Sequence, residues 1–247
     1  MRIVIIADVH GNLAALESVL RHAQASGAID AFWCLGDAVG YGPQPRECVA
    51  RLRELGVLMV AGNHDWAGTG KIGTEEFNPV AATAARWTRE QLRPAERAYL
   101  DALPEVLTLE EFTLVHGTLR WPIWEYLTAH EAALAHLERQ ETPFSLVGHT
   151  HIPMLVVEQP EAPQGCAISY LEDGARVELS RQRRLVINPG GVGQPRDGDP
   201  RAAYAVLDAG ANTVTLHRVE YDIEATQRLM EEAGLPHRLI QRLALGR

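Results

Sequence analysis

Polar residues that can bind a metal recur in this sequence directly after short apolar runs, each time beside a glycine. The pattern occurs in five segments, ADVHGN, CLGDAVGYG, VAGNHD, LVHG and LVGHTH. Together these segments supply Asp8, His10, Asp37, Asn63, His64, Asp65, His116, His149 and His151. Imidazole nitrogens and carboxylate oxygens suit ions such as Mn, Fe, Co, Ni and Zn. The residue types therefore predict a transition-metal site.

Each motif by itself has a simpler explanation. An aspartate at the end of a strand often caps the next helix, and Asn-His-Asp is good turn material. His116 alone is more often a core histidine with a hydrogen-bond partner. Because five such segments follow apolar runs in one chain, we interpret them as parts of a single site.

The elements that must position these side chains alternate between strands and helices. Strands are predicted at 3–7, 31–35 and 57–60, with helices over 12–25 and 45–55 between them. This alternation predicts a partly parallel sheet with helices against it. Ligands of such sheets bind outside the carboxyl ends of the strands, so the polar segments are expected to converge there.

The second half of the chain changes character. Residues 79–103 are predicted to be helical with a break before Pro94, and a helix is also expected at 130–138. From Phe144 onward, short apolar runs separated by turn signals such as Asp173-Gly174 predict antiparallel hairpins, and the last 25 residues are predicted to be helical. An extended LVGHTH would place His149 and His151 on one side of the backbone.

Composition sets outer limits on function. The 247 residues carry a formal charge of −9, which argues against extended nucleic-acid binding. There is no apolar run of about 18 residues, so no membrane span is expected. The N-terminal apolar stretch is short for a signal peptide, and Asp8 interrupts it. The three cysteines lack metal-type spacing and fit a reducing cytoplasm. No linker is evident, so we expect one domain over 1–247.

The combined signature DVH…GD…GNHD…VHG…GHTH resembles the calcineurin-like metallophosphoesterase superfamily. The stretches GDAVGYGP and NPGGVGQPRDGDPRAAYAVLD are similar to compact stand-alone phosphoesterases, of phosphodiesterase type, from bacteria and archaea. The resemblance implies an α/β fold with four layers (αββα), in which two packed mixed sheets are flanked by helices. It also implies a dinuclear metal centre where the strands end.

Carried over position by position, the resemblance implies two sets of ligands for two divalent ions. One ion would be held by Asp8, His10, Asp37 and His151. The other would be held by Asp37, Asn63, His116 and His149. Asp37 would bridge the two ions, whose identity (Mn, Fe, Zn, Ni or Co) stays open because the same ligands accept several metals.

The expected reaction is metal-assisted hydrolysis of a phosphate monoester or diester, including nucleotide-type substrates. A hydroxide activated by the metals would attack phosphorus, and His64 would donate a proton to the leaving alkoxide. Asp65 either orients His64 or caps a helix or turn. The expected partner is a small phosphorylated or nucleotide-like substrate, and self-association through residues 225–245 stays open.

Four further residues are candidates for contact with substrate. Arg120 could pair with phosphate and Trp121 could stack on a base, or the tryptophans of this segment could anchor its loop to the core. Tyr41 could line the pocket or simply pack. Arg196 lies in the glycine-rich loop NPGGVGQPRDG, which can approach the site.

Three other classes of protein are weighed against this interpretation. An amidohydrolase-type barrel needs eight-fold strand–helix alternation, which the late antiparallel strands contradict. An aspartyl-phosphate phosphatase typically has a DxD pair, and here His10 occupies the second position. A non-catalytic scaffold of the same fold should have substituted ligands, whereas all seven are intact. We therefore expect an enzyme, with the scaffold as the alternative.

Overall fold

The structure, a computed structural model, describes all residues from Met1 to Arg247. The twelve strands are β1 (Arg2–Ile6), β2 (Ala31–Cys34), β3 (Leu58–Met59), β4 (Val106–Thr108), β5 (Phe112–Val115), β6 (Phe144–Leu146), β7 (Met154–Glu158), β8 (Cys166–Tyr170), β9 (Arg176–Glu178), β10 (Leu185–Asn188), β11 (Ala202–Asp208) and β12 (Thr213–Val219). The eight helices are α1 (Leu13–Ala25), α2 (Pro45–Glu54), α3 (Asn63–Thr69), α4 (Pro79–Gln91), α5 (Pro94–Asp101), α6 (His130–Leu137), α7 (Ile223–Glu232) and α8 (His237–Leu245).

The strands form two mixed sheets of six strands each. The first has the order β3-β2-β1-β11-β12-β9, and the second has the order β4-β5-β6-β10-β7-β8. In the first sheet β1, β2 and β3 run parallel, while β11, β12 and β9 continue it antiparallel. In the second sheet β5, β6 and β10 run parallel, and the outer strands are antiparallel.

Alternation along β1 shows how the layers stack. Ile3 and Ile5 belong to a buried cluster that joins the two sheets, with partners such as Leu146 on β6. Val4 and Ile6 point the other way and pack with residues of α1 and α2. A third cluster joins the second sheet to α6. Successive strand residues face opposite sides of a sheet, so one strand serves two cores. The expected αββα fold is confirmed.

Several local predictions are confirmed by the structure. Asn12 caps α1, since its side chain accepts the N–H of Ala15 at 3.2 Å. The helical region 79–103 breaks before Pro94 into α4 and α5. None of the helices combines the length and the apolar character needed to cross a bilayer; the longest, α1 and α4, have 13 residues each.

One hairpin prediction is wrong. The Asp173-Gly174 turn follows β8 and precedes β9, but β8 pairs with β7 in the second sheet while β9 pairs with β12 in the first. The turn therefore carries the chain from one sheet to the other. Local turn chemistry predicts a reversal of the chain but not the strand that the next segment joins, which long-range packing decides.

His136 is a buried histidine outside the metal-ligand motifs. Its Nδ1 accepts the N–H of Leu119 at 3.1 Å, and its Nε2 donates to the hydroxyl of Ser145 at 2.9 Å. Burial lowers the pKa of His136 to about 3, although the carboxylate of Glu125 opposes the shift. The side chain therefore stays neutral in the folded protein, where a second proton would break the bond to Leu119.

We expect His136 to weaken the fold as the pH falls. Between pH 7 and 5 the histidine takes up a proton in the unfolded protein, whereas His136 in the folded protein stays neutral. This difference lowers the free energy of unfolding by about 2 kcal/mol. The stability advantage of the wild type over His136→Gln should shrink by that amount in urea titrations of chelator-treated protein. The exposed histidine variant His237→Gln is the matched control. A gap between wild type and His136→Gln that does not change with pH would contradict the assignment.

Candidate metal centre

The seven expected ligands converge at the carboxyl ends of strands from both sheets. Asp8 and His10 follow β1, Asp37 follows β2 and Asn63 begins α3 after β3. His116 follows β5, and His149 and His151 follow β6. All seven side chains are buried. They meet because each parallel strand releases its chain at the same edge.

These side chains form two groups whose donor atoms lie within 4.8 Å of one another. The first group is Asp8, His10 and His151, and the second is Asp37, His116 and His149. In the first, His151 Nε2 lies 3.3 Å from Asp8 Oδ1. In the second, His116 Nε2 lies 3.3 Å from Asp37 Oδ2. The same Asp37 oxygen lies 3.6 Å from His10 Nε2, so it stands between the groups.

Each of the four histidines uses one ring nitrogen to contact a backbone carbonyl. The pairs are His10 Nδ1 with Val39 at 3.0 Å, His116 Nδ1 with Leu35 at 2.7 Å, His151 Nδ1 with Gln194 at 2.5 Å and His149 Nε2 with Trp124 at 3.1 Å. A carbonyl only accepts hydrogen bonds, so that nitrogen carries the proton and the other presents a lone pair. Histidines that bind metals are commonly oriented in this way.

The free lone pairs face one another and face unpartnered oxygens. His10 Nε2 lies 3.2 Å from His151 Nε2, and His116 Nε2 lies 3.0 Å from His149 Nδ1. The oxygens buried without a hydrogen-bond donor are Asp8 Oδ1, Asp8 Oδ2, Asp37 Oδ2 and Asn63 Oδ1. Buried acceptors without partners are costly. A cation between them would satisfy both sets, so the residues fit metal ions.

The electrostatics of the centre favour a positive charge at Asp37. Burial alone would raise its pKa, but the imidazoles of His116 and His64 hold the pKa of Asp37 well below its usual range. Burial would likewise lower the pKa of His116, but the Asp37 carboxylate raises it to about 9. Burial raises the pKa of Asp8 to about 7. Asp37 is therefore ionised and attracts either a proton on His116 or a metal cation.

Left-handed backbone is concentrated in this centre. Seven non-glycine residues have positive φ, and six of them are Asp8, His10, Asp37, Tyr41, His149 and His151, with φ between 48° and 65°. Such a conformation costs an ordinary residue about 1 kcal/mol. The expectation of an extended LVGHTH is wrong, because β6 ends at Leu146 and both histidines bend into left-handed geometry. The bend, not strand alternation, directs both rings to the site.

Gly62 allows Asp37 to reach its position. A Cβ atom on Gly62 would lie 2.0 Å from Asp37 Oδ1 and 2.6 Å from the Asp37 backbone nitrogen. Any side chain there would displace the carboxylate that stands between the two groups. The glycine of the GNHD segment thus provides space for the neighbouring loop.

His64 lies beside the two groups rather than within either of them. Its ring is 4.3 Å from that of Tyr41 and 4.9 Å from that of Phe77. A ring nitrogen of His64 also lies within 4.8 Å of ligand atoms of His10 and Asp37. Burial lowers the pKa of His64 to about 4. A negatively charged substrate nearby would favour the protonated ring.

The Asp65 carboxylate forms no hydrogen bond with the His64 ring. Its carboxylate accepts the backbone N–H groups of Asp37 at 2.8 Å, Gly62 at 2.9 Å and Val39 at 3.3 Å. Of the two roles expected for Asp65, these bonds support capping rather than orientation of His64. They tie the start of α3, a helix missed by sequence reasoning, to the loop that carries Asp37.

The four candidate substrate contacts differ in their surroundings. Arg120 is held by ion pairs with Glu125 and Glu131, so its charge is already used. Arg196 forms no ion pair; its Nη2 lies 3.5 Å from the Tyr41 hydroxyl, and its Nε is buried without a partner. Tyr41 packs against the rings of both His10 and His64, which also contact each other. Trp121 is 59% exposed.

Sequence reasoning missed the supports of the centre. The carbonyls of Val39, Leu35 and Gln194 orient histidines from loops distant in sequence. Phe77, which packs against His64, belongs to no motif. Backbone acceptors carry no residue-type signal, so the sequence could not have revealed them.

Comparison with known proteins finds similar chains, two of which match over nearly the whole length. The crystal structure of a metallophosphoesterase from Sphaerobacter thermophilus is 49% identical, with a TM-score of 0.90, and the match covers 100% of this chain and 99% of that one. An uncharacterized protein of Methanocaldococcus jannaschii is 36% identical over 99% of this chain and 98% of its own. The symmetrical bis(5'-nucleosyl)-tetraphosphatase of Vibrio cholerae is 27% identical over 64% of this chain and 58% of its own length.

Two stacked mixed sheets with buried aspartates and histidines at their strand ends define a metallophosphoesterase. A sequence model described as the calcineurin-like phosphoesterase superfamily domain matches residues 1–212, and the chain belongs to that superfamily. It is therefore a hydrolase that acts on phosphate ester bonds. The family is metal-dependent, and the two groups of side chains above are where this chain could hold metal.

Proposed function

We propose that this chain is a dinuclear metal-dependent phosphoesterase whose ions lie in the two groups of side chains. One ion is bound by Asp8, His10, Asp37 and His151, and the other by Asp37, Asn63, His116 and His149. The observation that carries the proposal is the set of buried, unpartnered oxygens facing oriented imidazoles. Asp37 would be shared by both ions, since imidazole nitrogens of both groups lie within 3.6 Å of its Oδ2.

Bound divalent ions supply a hydroxide nucleophile near neutral pH and neutralise charge on the phosphoryl oxygens. The protein's own residues bind and orient the substrate. Arg196 receives a phosphoryl oxygen, because a half-buried guanidinium with an unpartnered Nε and no carboxylate partner is suited to an anion. His64, beside the ligands but outside their shell, donates a proton to the leaving oxygen. Asn63 supplies a neutral oxygen, so the centre keeps net positive charge.

The substrate class that we propose is small phosphoesters of nucleotide type. The similarity to a symmetrical bis(5'-nucleosyl)-tetraphosphatase supports this proposal. The centre is reached through a cleft of about 660 Å³ with aromatic walls, which is a suitable size for a nucleotide.

The proposal is tested with purified protein after chelation and reloading with Mn, Ni, Co, Zn or Mg. Metal content is measured by mass spectrometry, and hydrolysis is assayed on a panel of phosphomonoesters, phosphodiesters and nucleotides. We expect two bound ions and turnover that chelation abolishes and reloading restores. Protein that binds no transition metal would favour the non-catalytic scaffold instead.

We expect His149 and His151 to serve different ions. His151→Ala should lower metal content to about one ion per chain, and so should His149→Ala, because each removes a ligand of one ion. A second substitution then shows which of the two sites holds the remaining ion. Adding Asp8→Ala to His151→Ala should remove no further metal, whereas adding His116→Ala should remove the rest. Loss of both ions from both single variants would overturn the assignment.

A further inference from the structure

A cleft of about 660 Å³ opens beside the candidate metal centre. Three of its lining residues, Asn63, His64 and His149, belong to the centre or adjoin it. The rest of the wall is mainly aromatic: Tyr41, Phe77, Trp121, Trp124 and Tyr126. The reactive groups and a hydrophobic binding surface therefore share one space.

Several rings of the cleft contact both the centre and the hydrophobic core, since Tyr41 and Phe77 also pack in one buried cluster and Trp124 packs against another. Phe77 meets the His64 ring edge-on, with centroids 4.9 Å apart, and meets Trp124 at 5.3 Å. Tyr126 stacks on His149 with centroids 3.9 Å apart and an interplanar angle of 15°. Yet Tyr126 is 46% exposed and Trp121 is 59% exposed. Aromatic faces left open beside reactive groups are a surface that a planar ligand can cover.

The charge of the cleft limits what that ligand can be. No lysine or arginine lines it, and its polar wall residues are Glu76, Asn78 and Glu125. Glu125 is neutralised by Arg120, whereas Glu76 is exposed and forms no ion pair. The unpaired Arg196 contacts Tyr41 and Gln194 and is not a lining residue of the cleft. Apart from Arg196 behind Tyr41, the cleft therefore offers no counter-charge to an anionic group, and the unpaired charge in its lining is the negative one of Glu76.

We propose that the cleft binds the leaving group of the ester, and that this group is an uncharged aromatic alcohol of nucleoside type. The inference rests on the proposed function, because it takes His64 as the proton donor. In the hydrolysis an oxygen from water bonds to phosphorus, and the bond from phosphorus to the ester oxygen breaks with its electron pair on that oxygen. His64 supplies the proton that completes the released alcohol. The alcohol must then lie beside His64, in the cleft that His64 lines.

Binding of the released alcohol is measured without turnover. Adenosine is titrated into chelator-treated protein by calorimetry and tryptophan fluorescence. Trp121→Ala should weaken binding about tenfold, the effect typical of one lost stacking partner. Trp121→Phe should restore most of it. The matched control is Tyr170→Ala, an aromatic side chain 69% exposed on β8, away from the cleft.

Turnover by metal-loaded protein tests which side of the ester enters the cleft. Three diesters of adenosine 3'-phosphate differ in their second alcohol, which is methanol, adenosine, or adenosine carrying a 3'-phosphate, and product analysis counts only turnover that releases this second alcohol. We expect kcat/KM to be about tenfold higher for adenosine than for methanol. The added 3'-phosphate should lower kcat/KM several-fold relative to adenosine, and Glu76→Gln should restore part of that loss. Trp121→Ala should lower the ratio of kcat/KM for the adenosine diester to kcat/KM for the methanol diester, and it should do so by raising KM for the adenosine diester.

The outcomes separate this inference from the proposed function. Turnover with equal kcat/KM for the methanol and adenosine leaving groups would overturn the inference and leave the phosphoesterase standing. So would adenosine binding that Trp121→Ala does not change. Hydrolysis of none of the three diesters would overturn the inference, and the proposed function would fall as well only if no phosphomonoester, other phosphodiester or nucleotide is hydrolysed under any metal.

Discussion

His64→Ala should keep both metal ions and lose about 10²–10⁴-fold of its turnover of alkyl phosphodiesters, the usual contribution of a positioned general acid. An alkoxide is a poor leaving group and needs a proton as its bond to phosphorus breaks. A nitrophenolate leaves readily without one, so turnover of a nitrophenyl ester should fall much less. The ratio of the two losses is the measurement, taken together with metal content.

Metal content decides between two roles for His64. Its ring lies within 4.8 Å of ligand atoms of His10 and Asp37, so distance alone would also allow it to be a ligand. If His64→Ala loses an ion, or if it loses nitrophenyl and alkyl activity equally, the assignment as an acid is wrong. His237→Ala, which removes an exposed histidine at the start of α8, should match wild type in both measurements.

Asp37→Asn should lose both ions rather than one. Its Oδ2 faces imidazoles of both groups at 3.6 Å or less, and it is the carboxylate of the centre held most firmly in its charged form. In the proposed dinuclear centre, removing this charge would leave two cations without the carboxylate that both would share. Metal ions supply several kcal/mol of transition-state stabilisation, so turnover should fall about 10³-fold or more.

The amide tests charge rather than shape. Asp37 Oδ1 accepts the N–H of His64 at 2.9 Å, and an asparagine oxygen can keep that bond. Circular dichroism should therefore show an intact fold. The control is Asp208→Asn. The Asp208 carboxylate also accepts backbone N–H groups, at the turn after β11, and this variant should bind two ions. A single ion retained by Asp37→Asn would show that Asp37 does not bridge.

The convergence of the candidate ligand segments could be predicted because their signal is local. Each follows an apolar strand, and the ends of parallel strands must meet, so types and order alone bring Asp8, Asp37 and His116 together. The layer order is equally accessible, since it follows from strand alternation and from the resemblance to the superfamily. Both rest on patterns a few residues long.

Other features depend on contacts that the sequence does not encode locally. The membership of β9 in the first sheet is set by pairing with β12, far along the chain. The short helix α3 forms from weak helix formers, because the Asp65 carboxylate anchors its first turn. Arg120 forms ion pairs with Glu125 and Glu131 and is therefore not free to bind phosphate, and no sequence motif indicates these pairs. Only the partner of β9 is distant in sequence, whereas the partners in the other two cases lie within eleven residues and are brought into contact by the fold rather than by residue-type preference.

The left-handed residues of the centre also bear on how such a sequence changes over time. Six ordinary side chains occupy backbone that glycine adopts freely, so the scaffold would be more stable without them. Only a demand for their side chains keeps residues such as His10 and His151 in place. Where these side chains are no longer needed, substitutions to glycine should accumulate at these positions. Glycine at these positions would distinguish an inactive relative from an active one more clearly than overall sequence identity does.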